Sequence, residues 1–73
     1  KVVLNQNLFT KLDFFRSNSL KLLSMNHNRI EKVVDLERCY PNLLELSLIN
    51  NQIEEIDIGG MQQLQILDVS NEL

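Results

Sequence analysis

Cysteine is scarce in this sequence, and several other features are missing altogether. With a single cysteine, the chain cannot form an intrachain disulfide. It contains no Asn-x-Ser/Thr glycosylation site, no signal peptide, and no run of about 18 apolar residues that could cross a membrane. These absences favour the cytosol or the nucleus, and we expect no membrane partner.

Clustered positive charge is also missing. The chain has seven Lys and Arg residues against ten Asp and Glu, which gives a net charge of −3, and the basic residues are scattered along it. Binding to a phosphate backbone requires basic residues gathered on one surface. We therefore expect neither nucleic acid nor an anionic membrane as a partner.

Recognisable catalytic and metal-binding motifs are absent as well. There is no glycine-rich phosphate loop and no Ser-His-Asp set. His27 and Cys39 are the only residues of their kinds, and a lone histidine has no second ligand at metal spacing. The sequence therefore predicts a protein that is not an enzyme and binds no metal or cofactor.

What the sequence does contain is a repeat. Residues 43–56 read LLELSLINNQIEEI, and residues 20–33 read LKLLSMNHNRIEKV. In register, the two copies match at Leu20/Leu43, Leu23/Leu46, Met25/Leu48, Asn28/Asn51, Ile30/Ile53 and Val33/Ile56. A truncated copy, VVLNQNLFTKL, begins at Val2, and a fourth, LQILDVSNEL, begins at Leu64. The asparagines at positions 7, 28 and 51 are 21 and 23 residues apart, a period typical of solenoids.

The pattern L-x-x-L-x-L-x-x-N-x-L resembles the leucine-rich repeat family over essentially the whole chain. The resemblance implies an α/β fold, namely a right-handed solenoid forming a horseshoe segment, with a concave parallel sheet of about four strands and short convex turns. We predict strands near residues 2–4, 22–25, 45–48 and 66–69. The period, with I-x-x-[IV] after Asn28 and Asn51, is similar to the short intracellular class, which includes regulatory subunits of type-1 protein phosphatase. Secreted members usually carry cysteine clusters at their ends, which this chain lacks.

The repeated asparagine has a structural explanation. After each strand the backbone turns away from the sheet and leaves N–H and C=O groups in the interior, where they need partners. An inward-pointing carboxamide offers two donors and an acceptor. We therefore predict a buried ladder of Asn7, Asn28 and Asn51, with Asn50 pointing outward. In the last repeat either Asn71 or Glu72 could occupy the ladder position.

The segments that follow each asparagine are too short for long convex helices. In the middle repeat, Asp35 is expected to cap one helical turn that carries Leu36, Cys39 and Tyr40 and ends at Pro41. Phe14 and Phe15 are expected to fill the same space in the first repeat. Gly59 and Gly60 indicate a turn with little helix in the third.

The ends of the chain are those of an uncapped solenoid. Residues 1–73 form one leucine-rich repeat segment of about three and a half repeats. Terminal repeats normally carry polar caps because each repeat covers its core only against its neighbours. The chain starts inside a strand and stops inside a repeat, so we expect a fragment or the ordered part of a larger repeat protein, and the uncapped ends could associate end to end.

The repeat register also argues against catalysis. It places His27 on the concave rim and Cys39 on the convex side, with the core between them, whereas a Cys–His nucleophile needs both within hydrogen-bond reach. Cys39 is interpreted as a buried structural thiol. In the acidic run EEID, Ile56 is expected to point into the core, so that Glu54, Glu55 and Asp57 form a solvated edge.

The remaining candidate for function is the concave face of the sheet. Residues that alternate with the buried leucines face away from the core, and several of them are aliphatic. An apolar patch rimmed by polar groups is typical of a protein interface, although scattered exposed aliphatics are also ordinary in strands. The predicted partner-binding residues are Val3, Leu22, Glu45, Ile49, Ile66, Asp68 and His27.

These features are consistent with two functions. The first is a non-enzymatic module that binds a peptide or helix of a protein partner on its concave sheet, as the resemblance implies. The alternative is a structural or substrate-recruiting segment of a larger protein, such as a phosphatase, cyclase or ubiquitin ligase, or of a spindle-pole or ciliary scaffold. The sequence does not distinguish the two.

Overall fold

The computed structural model describes residues 1–12 and 15–71. Within them the chain alternates short strands with turns, and regular helix is limited to a single four-residue turn. The elements are β1 (Val2–Val3), β2 (Leu22–Ser24), β3 (Lys32–Val33), α1 (Leu36–Cys39), β4 (Glu45–Asn51), β5 (Glu55–Ile56) and β6 (Ile66–Asn71).

Four of the strands form one parallel sheet in the order β1-β2-β4-β6. Leu23 pairs with Leu46, which pairs in turn with Leu67, so equivalent repeat positions stack directly. The predicted strands and their parallel pairing are confirmed, and β4 and β6 each extend to the asparagine that follows. Each turn of the chain therefore adds one strand, and the fold is a parallel-sheet solenoid.

A second, two-stranded parallel sheet pairs β3 with β5. It joins Val33 to Ile56, the last matched pair of the repeat. This sheet was not predicted from the sequence. The prediction that Ile56 lies in the core was wrong, since 43% of that side chain is exposed whereas Val33 is fully buried. The difference arises because β5 covers β3, while within residues 1–12 and 15–71 no strand pairs with the other side of β5.

The core is formed by inward side chains of the strands and of the segments that connect them. Because inward positions repeat in register, leucine packs on leucine from one turn to the next, and each fully buried Leu or Ile contributes about 1.5–3 kcal/mol. Cys39 is buried, as predicted. The buried apolar side chains are Leu12, Leu20, Leu23, Met25, Ile30, Val33, Leu36, Cys39, Tyr40, Leu43, Leu46, Leu48 and Met61.

The segments that connect the strands of the four-stranded sheet consist of short turns. Asp35 precedes α1 but, contrary to the prediction, its side chain makes no capping bond; Asp35 adopts a left-handed conformation (φ 57°), and its carbonyl accepts the N–H groups of Arg38 and Cys39. The Tyr40 hydroxyl donates to the Leu12 carbonyl. The ring of Phe15 lies 5.1 Å from that of Tyr40, and Phe14 lies outside the described residues. Gly59 and Gly60 form a turn, as predicted.

The asparagine ladder is present in the interior turns. Asn28 and Asn51 are buried. Asn28 Oδ1 accepts the N–H groups of Asn7 and Phe9 at 3.1 and 3.3 Å, and its Nδ2 donates to the Leu4 carbonyl at 3.0 Å. Asn28 thus holds the backbone of the preceding turn.

At one end of the ladder Asn7 differs from the prediction, and at the other end the structure resolves the choice between Asn71 and Glu72. Asn7 was predicted to be buried but is exposed, because no described turn lies beyond it, although its Nδ2 still donates to two carbonyls of its own turn. In the last turn, Asn71 pairs with Asn51 across the sheet, and its Oδ1 accepts the N–H of Ile53 at 2.8 Å. Asn71 therefore occupies the ladder position.

The residue before each of the first three ladder positions has a left-handed backbone. Gln6, His27 and Asn50 have φ values of 61°, 57° and 60°. At Asn50 this residue forms a bulge, because the register of β4 with β6 shifts between Ile49 and Asn51. These residues form the rim at which the chain leaves the sheet.

Candidate protein-binding face

The side of the four-stranded sheet that faces away from the core is called the open face. Its side chains form three rows that run across the strands, because the register aligns every second residue of neighbouring strands. The first row holds Lys1, Leu22, Glu45 and Ile66. The central row holds Val3, Ser24, Ser47 and Asp68. The third row holds Asn5, Asn26, Ile49 and Ser70.

A cavity of about 270 Å³ lies on the open face. Two rows provide most of its lining, and the third row contributes Asn5. Its lining residues are Lys1, Val3, Asn5, Leu22, Leu23, Ser24, Glu45, Leu46, Ser47, Ile66 and Asp68. We call this cavity the groove.

The structure brings together most of the residues predicted from the sequence to bind a partner. Five of the seven line the groove, namely Val3, Leu22, Glu45, Ile66 and Asp68. Ile49 lies in the third row, outside the groove, with 37% of its side chain exposed. His27 is an exposed rim residue, and its Nδ1 lies 3.3 Å from Nδ2 of Asn50.

Apolar side chains stand at both ends of the groove. Val3 is 50% exposed and Ile66 is 46% exposed, and Leu22 is half-buried between them. None of the three belongs to the core cluster, which the inward positions supply. These three residues form the apolar part of the groove.

Asparagine–serine pairs hold the middle of the open face. Asn5 Oδ1 accepts the Ser24 hydroxyl at 2.9 Å and the Asn26 N–H at 2.8 Å. Asn26 Oδ1 accepts the Ser47 hydroxyl and the Ile49 N–H, both at 2.8 Å. From the sequence, these outward polar residues were interpreted only as surface. The signal that could have revealed the pairs is their recurrence, since Asn5 and Ser24 of the first pair are repeated as Asn26 and Ser47 in the next.

The third row changes character at Ile49. An asparagine there would continue the asparagine–serine pairing, but Ile49 offers no acceptor, and Asp68 stands where the next serine would be. The polar pairs therefore stop at the second and third strands of the sheet. Beyond them the open face presents the exposed side chains of Ile49, Ile66 and Asp68.

The charges of the groove are separated along it. Lys1 lies at the β1 end, and Glu45 and Asp68 lie at the β4 and β6 end. Glu45 is half-buried and Asp68 is exposed. Neither carboxylate forms a hydrogen bond or ion pair with another described residue. Two acidic groups without a cation therefore adjoin the aliphatic Ile66.

His27 and Cys39 differ in their exposure. Cys39 is buried and His27 is exposed on the rim. Among residues 1–12 and 15–71, no group of three His, Cys, Asp or Glu side chains is placed to hold a metal ion. No helix in the same residues is long and apolar enough to span a membrane. The acidic edge at Glu54, Glu55 and Asp57 is exposed, as expected.

The stacked strands, the buried asparagine ladder and the repeated turns define a leucine-rich-repeat-like solenoid. In comparison with known proteins, the chain is similar to Toll-like receptor 7 of Mus musculus, with 40% identity over 60 residues. The match covers 78% of this chain, which spans about 6% of the length of that protein. No protein-family model matches the chain. No solved structure matches it significantly.

Proposed function

We propose that this chain is a non-catalytic protein-interaction module that binds a partner peptide or helix on its open face. One observation carries the proposal: the groove combines exposed aliphatic side chains with two carboxylates that have no partner among the described residues. An apolar surface bordered by polar groups is characteristic of protein interfaces. The solenoid supports the proposal because stacked strands offer an extended surface of outward side chains.

A second function is a recruiting or structural segment within a larger protein. It is favoured by the match to a stretch that amounts to 6% of a much longer relative. In that case the open face would bind the same kind of partner, and any catalysis would belong to other parts of the larger chain.

We further propose that the chain belongs to the short intracellular repeat class and has a cytosolic or nuclear location, supported by the repeat period and the free thiol of Cys39. Immunolocalisation with an antibody against the chain tests the location.

Two exposed isoleucines provide a matched test of the open face. Ile66 lies in the groove and is 46% exposed, whereas Ile56 lies on β5 of the second sheet and is 43% exposed. Peptides would be selected against the wild-type chain from a displayed random library. We then expect Ile66→Asp to abolish binding of the selected peptides and Ile56→Asp to leave it unchanged, with circular dichroism showing that both variants are folded.

Either of two results would contradict the proposal. One is that the selected peptides bind a folded Ile66→Asp variant as tightly as wild type. The other is that Ile56→Asp is the variant that loses binding, which would move the site to the second sheet. Ile49→Asp reports on the third row in the same assay, since Ile49 is exposed on the open face but lies outside the groove.

A further inference from the structure

We propose that the groove takes an amphipathic α-helix that crosses the strands and carries an arginine between two aliphatic residues spaced two helical turns apart. This inference rests on the proposed function of the open face and specifies the partner. It follows from the backbone pairing, the dimensions, the floor and the charges of the groove.

Backbone pairing favours a helix over an extended segment. Strands β2 and β4 are paired on both sides, so their ladder N–H and C=O groups are used within the sheet. A peptide lying across their outer face cannot add a strand there, and its own backbone groups would need other partners. A helix satisfies its backbone internally. It can therefore bring side chains onto this face without leaving backbone groups unpaired.

The spacing of the first row matches one face of a helix. Leu22, Glu45 and Ile66 lie on three consecutive strands, and strands are about 4.8 Å apart, so Leu22 and Ile66 are separated by roughly 9.6 Å. Residues seven apart on a helix share a face and are about 10.5 Å apart. Two aliphatic side chains at that spacing meet Leu22 and Ile66, and the residue between them meets Glu45.

The floor of the groove and the spacing of the rows on the open face also suit a helix. The first and third rows are four residues apart along the strands, or about 13 Å, and a helix with its side chains is about 10–12 Å in diameter. Between these rows Ser24 and Ser47 are small, and their hydroxyls are bound to Asn5 and Asn26. The centre of the open face is thus a low, fixed floor between taller side chains.

The charges select the residue at the middle position. Glu45 and Asp68 stand near each other, because Glu45 pairs with Ile66 and Asp68 lies two residues after Ile66 on the same strand. Neither carboxylate has a partner among the described residues, and Lys1 lies at the far end of the groove. Arginine presents several donors in a planar fork and binds carboxylates in a bidentate manner. An arginine between the two aliphatic residues therefore pairs with these carboxylates.

The probe is a fluorescent alanine-based helical peptide of about 16 residues, with leucine at positions i and i+7 and arginine at i+4. The control peptide has glutamate in place of the arginine. With the full chain, we expect anisotropy titrations to show the arginine peptide binding at least about tenfold more tightly. In Glu45→Gln/Asp68→Asn the preference should fall below about threefold. The preference for the arginine peptide should persist in Glu54→Gln/Asp57→Asn, which removes the same charge at the exposed edge.

The outcomes separate this inference from the proposed function. Equal binding of the two peptides, or a preference that survives in Glu45→Gln/Asp68→Asn, overturns the charge assignment. If the arginine peptide binds equally well when a proline interrupts its helix, the assignment of a helical partner is overturned. Failure of the arginine peptide to bind, while library-selected peptides still depend on Ile66, overturns the inference and leaves the proposed function standing. Binding that persists unchanged in folded Ile66→Asp overturns both.

Discussion

Asn51 holds the backbone of the preceding turn through Ile30. The Asn51 Oδ1 accepts the N–H of Ile30 at 3.0 Å, and its Nδ2 donates to the carbonyl of Met25, also at 3.0 Å. Both partners lie one turn earlier in the solenoid, and Asn51 is fully buried. Asn28 binds its preceding turn in the same way. The turns are therefore joined through side-chain amides as well as through the sheet.

The first prediction is that Asn51→Ala lowers the free energy of unfolding by about 1–3 kcal/mol, since it leaves buried backbone groups unpaired. The neighbouring Asn50→Gly should change it by less than about 0.5 kcal/mol, because the half-exposed Asn50 side chain bonds only at the rim and glycine accepts the left-handed backbone. Glycine is the better control here than alanine, which would add strain at φ 60°. Urea unfolding compares the two, and equal losses would refute the ladder.

The second prediction concerns the left-handed rim. His27→Gly should leave stability unchanged or raise it by up to about 1 kcal/mol, because the strain of a side chain at φ 57° is released. Arg29→Gly, two residues later and equally exposed, should lower stability by about 0.5–1 kcal/mol, because Arg29 is not in the left-handed region. Thermal melts of both variants test the contrast. A larger loss at His27 than at Arg29 would show that His27 has another structural role.

The third prediction compares the two glycines. Gly60 has φ 92°, and a Cβ there would overlap the Glu37 carboxylate, whereas a Cβ at Gly59 would meet Asp57 Oδ1 at 3.2 Å. We expect Gly60→Ala to cost about 1–2 kcal/mol, mainly from the backbone, and Gly59→Ala to cost less. Repeating Gly60→Ala in a Glu37→Ala background separates the causes. Full rescue would assign the cost to the Glu37 overlap instead of the backbone.

The fourth prediction is that the 73-residue chain self-associates. The apolar residues Val2 and Leu4 at one end, and Leu67 and Val69 at the other, are only partly covered, and β1 and β6 are the edges of the described sheet. Uncovered repeat ends and open strand edges promote association. Sedimentation velocity over a range of concentrations should show a rising average mass. A concentration-independent monomer with a high melting temperature would contradict it.

The sequence predicted those parts of the fold in which one physical requirement recurs at each turn. Inward leucines at Leu23 and Leu46, and the ladder asparagine of each turn, repeat in register, so strands, pairing and ladder could all be placed. The groove was predictable for the same reason, because alternation along each strand determines which residues face outward. The sequence left the last ladder position open between Asn71 and Glu72, because Asn71 fits only if the last turn is one residue shorter. The observed pairing of Asn71 with Asn51 resolves this choice.

The missed features depend on contacts that the local pattern does not encode. The second sheet consists of two-residue strands, too short to show alternation. The burial of Asn7 and Ile56 depends on whether a neighbouring turn covers them. The repeat pattern predicts that these residues point inward, but it does not show whether such a turn is present. At Asp35 the expected side-chain cap is replaced by a left-handed backbone whose carbonyl accepts the helical N–H groups. The Asn5–Ser24 and Asn26–Ser47 pairs join outward residues that the alternation assigns simply to solvent.

The bulge at Asn50 makes the length of a turn adjustable. Leu48 pairs with Val69 and Asn51 pairs with Asn71, yet two residues lie between Leu48 and Asn51 and only one lies between Val69 and Asn71. The difference is absorbed at the rim, so every inward side chain keeps its partner. Turns that differ by one residue are thus joined in one solenoid at this point without disturbing the stacking of the inward side chains.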